Sequence, residues 1–231
     1  LQSEEVRNAE AELEKANLAA GGLPGEGPLK IDISKVPGNA TSREKALRAL
    51  WGLCQLPFAR WTPKQFSPLR VALLKLFGAK LAANVEIGAG VRVWIPWNLT
   101  MGEYSSIGFE AEVFNFAPVI IGQHVVISQY NYIVTSTHDH THPYFPMISK
   151  PIQIGSQAWV AAGCVLSPGV TIGEGAVIGA RSVVTRSMPA WMVCSGSPCR
   201  PLTERVVRTI EEIEGIDDAE ASRETSGGTG I

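Results

Sequence analysis

The densest chemistry in the sequence is the run His138-Asp139-His140-Thr141-His142, which holds three of the chain's four histidines. Imidazole changes protonation near neutral pH, so one of these rings can take the proton of a hydroxyl as its oxygen attacks an electrophile. A neighbouring carboxylate such as Asp139 can orient that ring. The same run also has the composition of a metal site. His124 stands apart and reads as a structural residue. The four cysteines, Cys54, Cys164, Cys194 and Cys199, show no CxxC spacing, which points to buried or idle thiols in a reducing compartment. No Walker or Rossmann phosphate-binding motif is present.

These residues sit on a repeat. From Leu81 to Pro189 the chain reads in sixes: LAANVE, IGAGVR, VWIPWN, then MGEYSS, IGFEAE, VFNFAP, then IGQHVV, ISQYNY, IVTSTH. After a break at 139–153 it resumes as IGSQAW, VAAGCV, LSPGVT, IGEGAV, IGARSV and VTRSMP. Each of the fifteen hexads opens with Leu, Ile, Val or Met, and seven have Gly next. A period of six marks a parallel β-helix, in which the aliphatic residue points inward and stacks on its equivalents. The mostly small or β-branched fifth place lets the chain turn a corner, and Gly at the second place supplies backbone angles that a Cβ penalises. Three hexads close one triangular coil, so the pattern predicts five coils. The 139–153 segment is the long insertion, a loop on the face where function concentrates. His138 ends the third coil where that loop departs.

On these motifs the chain resembles the hexapeptide-repeat acyltransferases, whose fold is a left-handed parallel β-helix. Within them, 73–205 is most similar to the WcaF-like colanic acid biosynthesis acetyltransferases, relatives of the maltose, galactoside and nodulation acetyltransferases. The resemblance rests on LLKLFGAK, the PW of IPWNLTMGEYSSIG, TSTHDH, WVAAGCVLSPGVTIGEGAVIGARSVV and VCSGSPCRPLTER.

The resemblance implies an O-acetyltransferase moving acetyl from acetyl-CoA to a sugar hydroxyl, in polysaccharide biosynthesis, by direct attack. His138 matches the family's catalytic base. Asp139 stands where the family has Pro, and His140 follows, so both rings are candidates, with His138 favoured by motif position. Asn115 either touches the acceptor with Asp139 and His140, as a family Asn or Asp does, or holds a coil corner by side-chain hydrogen bonds. Carried over for acetyl-CoA are Trp159, Ala162, Ala180, Thr185, Arg186 and Arg200, the two arginines as phosphate partners. The family also implies a homotrimer with sites at its interfaces, and an acceptor that is a small or lipid-linked sugar. No metal is expected: the β-helical carbonic anhydrases bind zinc with three histidines on neighbouring subunits, and the 138–142 run lacks their spacing. A zinc lyase of that type and a non-catalytic trimeric scaffold are the alternatives.

Around the repeat, residues 1–40 read as a flexible extension. Residues 41–80 read as a basic helical segment with eight Lys/Arg against the single acid Glu44. It either caps the open end of the solenoid or touches an anionic membrane. The β-helix domain is expected over 81–202, with WMVCSGSPCRPL leaving the coil after Pro189. A short helix and a disordered tail are expected over 203–231. A net charge of −2 argues against a dedicated nucleic-acid binder. With no apolar run of spanning length, the expected location is cytoplasmic, with peripheral contact at the inner membrane face.

Overall fold

The computed structural model describes residues 7–9, 12, 15, 31–35, 41–59 and 63–212. They fall into two compact units, one drawn from 1–39 and 138–147, the other from 40–137 and 148–231. Most of the 1–40 extension and all of the tail beyond 212 lie outside the described residues.

The larger unit is a left-handed parallel β-helix with three sheets. The first face stacks 80–81, 99–101, 119–121, 152–154 and 171–172; the second stacks 86–87, 106–107, 126–127, 159–160 and 177–178. The third stacks 92–93, 112–114, 132–134, 165–166 and 183–184. Rungs pair in register, as in Ile107 with Ile127 or Val160 with Ile178. All fifteen hexad-opening residues, from Leu81 to Val184, are buried in columns of this kind. Most fifth places are buried too. The polar ones, Ser105, Asn131 and Ser182, are satisfied by backbone: Ser105 Oγ donates to the Gly122 carbonyl at 2.7 Å, and Asn131 Oδ1 accepts from Cys164 N–H at 2.9 Å.

The glycine expectation needs correcting. The left-handed backbone falls at the fourth place, on Asn84, Tyr104, His124 and Gln157 at one corner, and on Gly90, Glu110, Tyr130, Gly163 and Arg181 at the next. Second-place glycines serve clearance between coils instead. A Cβ on Gly155 would lie 2.6 Å from the Glu174 backbone nitrogen, and one on Gly108 would lie 2.6 Å from that of Gln129. At a rung spacing near ~4.8 Å there is no room for it.

The coil count also changes. Five coils are complete, and the chain does not leave the solenoid after Pro189. Met188 bridges Ile172, and Met192–Gly196 adds a sixth parallel rung to the second face, with Cys194 buried beside Ile178. Cys199–Glu204 then returns antiparallel along it. Thr203 and Glu204 are therefore strand, and helix begins only at 210.

At the other end, α1 (Ser42–Ala59) and α2 (Ser67–Leu76) close the first coil. A capping box starts α1: Glu44 N–H donates to Thr41 Oγ1, and the Glu44 carboxylate accepts from Thr41 N–H at 2.9 Å. The buried Trp51 donates its indole N–H to the Val93 carbonyl at 2.5 Å. From α2, Arg70 Nε donates to the Ile87 carbonyl at 2.8 Å, and Ser67 Oγ accepts from Ile87 N–H at 2.8 Å. Backbone groups at the first coil's edge thus gain partners they would otherwise lack.

Candidate active site

The third corner, between the third and first faces, is where the hexads lose regularity. In the first three coils its inward column is Ile95, Asn115 and Thr135, all buried. Asn115 is 0% exposed; its Oδ1 accepts from Ile95 N–H at 2.9 Å and its Nδ2 donates to the Ile95 carbonyl at 2.8 Å. Of its two roles, this is the corner-holding one. Thr135 repeats it a coil later, its Oγ1 accepting from Ala117 N–H at 2.9 Å and donating to the Phe114 carbonyl at 3.1 Å. From Thr135 the chain departs as a two-stranded ribbon, Ser136–His138 with Met147–Ser149.

The smaller unit contains the tip of that ribbon. His138 is exposed, and its Nδ1 lies 2.7 Å from the Phe145 carbonyl oxygen. A carbonyl can only accept, so Nδ1 carries a proton, and in the neutral ring the lone pair is on Nε2. The Phe145 ring stacks on the imidazole, centroids 4.7 Å apart and planes 8° from parallel. Phe145 has φ of +47°, a conformation rare outside glycine, held by its N–H to the His142 carbonyl at 3.0 Å. The loop closes where Asp139 N–H donates to the Pro146 carbonyl at 2.9 Å.

Asp139 does not orient the imidazole. Its Oδ1 accepts from the Thr141 hydroxyl at 2.6 Å and from Thr141 N–H at 3.0 Å, and these bonds hold its carboxyl below the usual carboxylate range. The orienting group is the Phe145 carbonyl, which the sequence reading missed because any residue carries one. His142 has the opposite polarity to His138: its Nδ1 accepts Tyr144 N–H at 3.0 Å. His140 is exposed and has no hydrogen bond to a described residue. No three His, Cys, Asp or Glu side chains converge on a metal-sized point among the described residues.

The residues carried over for acetyl-CoA spread along the solenoid. Trp159, 45% exposed on the second face, donates its indole N–H to Ser128 Oγ at 3.1 Å. Ala162 and Ala180 sit one above the other at the following corner, where Arg181 N–H donates to the Ala162 carbonyl at 2.9 Å. Thr185 and Arg186 are exposed beyond the third face, on the far side of the Val183–Val184 rung. Arg200 lies on the return strand, its Nη1 on the Cys199 carbonyl at 2.9 Å. His124 stacks on Tyr104 at a coil corner, centroids 5.1 Å apart. Burial raises the thiol of Cys164, a poor state for a nucleophile.

A parallel β-helix with inward residues every six positions defines a hexapeptide-repeat protein, and the profile described as "Bacterial transferase hexapeptide (six repeats)" matches residues 151–186. The chain is 42% identical over 157 residues to WcaF of Escherichia coli K12, covering 68% of this chain and 86% of that protein. WcaF is named for an inferred role as a colanic acid biosynthesis acetyltransferase. Among solved structures, a galactoside acetyltransferase in complex with coenzyme A superposes with a TM-score of 0.67 at 27% identity, over 78% of this chain and 92% of that one. A hexapeptide-repeat acetyltransferase of Vibrio cholerae with acetyl coenzyme A does so at 0.66 and 25%, over 74% and 93%. The chain belongs to the hexapeptide-repeat acetyltransferase family, in the branch that contains WcaF.

Proposed function

We propose that this chain is an acetyl-CoA-dependent O-acetyltransferase acting on a sugar hydroxyl in exopolysaccharide biosynthesis, with His138 as general base. The observation that carries the assignment is the Nδ1 contact to the Phe145 carbonyl, which leaves Nε2 as the basic atom. Nε2 takes the hydroxyl proton as the oxygen attacks the thioester carbonyl of acetyl-CoA. The tetrahedral oxyanion collapses, the C–S bond breaks, and the imidazolium returns its proton to the departing thiolate. The imidazolium is compatible with the same contact, since both ring nitrogens then donate. Relatives solved with coenzyme A and acetyl coenzyme A support the donor, and the WcaF name supports the exopolysaccharide context.

In this reading Trp159, Ala162 and Ala180 border the pantetheine arm, with Thr185 beside it, and Arg186 and Arg200 meet phosphates. Their spread over two corners of one chain suits a site shared between subunits of a homotrimer. Asp139 and His140 would flank the acceptor, and Asn115 would keep its own coil corner in shape. The test is acetyl-CoA-dependent thiol release over a panel of mono- and lipid-linked saccharides, wild type beside His138→Ala. Turnover by the wild type, with a variant that binds acetyl-CoA yet is inert, supports the proposal. Loss of activity in His140→Ala alone moves the base to His140.

A further inference from the structure

We propose that the outer faces of α1 and α2 form a docking surface for an anionic phospholipid bilayer. The inference is independent of the reaction assigned to His138.

Helical spacing divides α1 cleanly. Trp51 is buried, and Glu44, Leu47, Arg48 and Gln55 beside it are half-buried, which fixes the inward stripe. Opposite lie Ala46, Ala49, Leu50 and Leu53, all exposed, with Leu53 at 68%. Arg43 and Lys45, both exposed, project on either side of that apolar strip. The division recurs in α2, where Ser67, Arg70 and Leu74 are buried while Leu69, Ala72 and Leu76 face out beside the exposed Lys75. Leu76 is 79% exposed. The two apolar strips meet at one open groove, which Leu50 of α1 and Leu76 of α2 line together with Arg43.

Charge selects the occupant. The cations exposed on the two helices are Arg43, Lys45 and Lys75, and the one acid of residues 41–80, Glu44, turns its carboxylate to Thr41. A protein partner covering these leucines would have to desolvate the cations at their rim. A bilayer takes leucines into the acyl boundary while lysine and arginine stay among the headgroups, where anionic lipid attracts them. No helix among the described residues is long and apolar enough to cross a membrane, so the contact is with the surface.

The experiment is flotation of the full chain with phosphatidylcholine vesicles, with and without phosphatidylglycerol. The expected result is binding to the anionic vesicles alone, weakening as salt rises. Leu53→Glu with Leu69→Glu should lower it by roughly tenfold or more. Lys45→Gln and Lys75→Gln, which leave the leucines intact, should lower it roughly fivefold each. Circular dichroism and melting temperature should be unchanged in the lysine variants. Equal binding to neutral vesicles, or none to anionic ones, overturns the proposal. So does a change of oligomeric state in the leucine variant with lipid binding unaltered, which would make the strip a protein interface. Thiol release from acetyl-CoA with a soluble acceptor should persist in all these variants, so failure of docking and failure of the catalytic reading are separable.

Discussion

His138 and Phe145 hold each other twice, through a 2.7 Å contact from Nδ1 to the carbonyl oxygen and through stacked rings 4.7 Å apart. The hydrogen bond selects the tautomer, and the stack fixes the plane in which Nε2 points. A seven-residue separation closed by the turn from His142 to Phe145 makes this possible on an exposed loop.

His138→Ala should lower kcat by roughly 10²–10⁴-fold, the usual worth of a positioned base. His142→Ala should change it by less than about tenfold, because the Nδ1 of His142 is occupied by the Tyr144 amide. Steady-state thiol release reads both.

Phe145→Leu keeps the carbonyl and removes the aromatic plane. It should lower kcat roughly ten- to hundredfold through misplacement of the imidazole, with the KM for acetyl-CoA unchanged. A fall in melting temperature matched by a fall in both parameters would instead mark Phe145 as a loop-folding residue only.

Two glycine substitutions separate clearance from backbone angle. Gly155→Ala puts a Cβ 2.6 Å from the Glu174 backbone nitrogen and should cost about 3 kcal/mol in urea denaturation. Gly163 has φ of +70° and its nearest neighbour would be Arg181 Cγ at 3.6 Å, so Gly163→Ala should cost about 1 kcal/mol. Gly163→Asn should recover most of that, since Asn tolerates the left-handed region.

Asn115→Ala leaves the Ile95 N–H and carbonyl without their side-chain partner in a buried corner, a loss of about 2–4 kcal/mol by chemical denaturation. An unchanged stability with a raised acceptor KM would make Asn115 a substrate contact instead.

The Asp139 carboxyl titrates below the ordinary carboxylate range because Thr141 donates to it twice. A depressed pKa means the loop contact is fully present above the ordinary value and is lost as pH falls through the lowered one. Thr141 amide exchange should therefore stay protected at pH 5 and above, the region over the ordinary ~3.9 of Asp, and open only under stronger acid.

The columns of Ile, Val and Leu were legible because a buried solenoid core admits little else at six-residue intervals. His138 was legible as an imidazole at the break in the repeat. Phe145 was not, because its contribution is a carbonyl aimed by φ, which no spacing records. The second-place glycines were seen, but their reason was not: clearance depends on the coil above, and only the stacked structure supplies that neighbour. The sixth rung escaped notice because Val184 to Met188 is four residues rather than six, although Met188 to Cys194 restores the interval.

A solenoid of identical rungs carries an unfinished ladder at each end, which another copy could extend. Here the return strand Cys199–Glu204 occupies the outer hydrogen-bonding edge of the last rung on the second face. Arg205 then fastens it by donating to the Gln157 and Gly175 carbonyls of the two preceding coils, at 2.8 and 2.9 Å. The C-terminal reversal thereby acts as a stopper: it covers the last parallel rung of that face with an antiparallel strand, so the parallel ladder ends within the molecule.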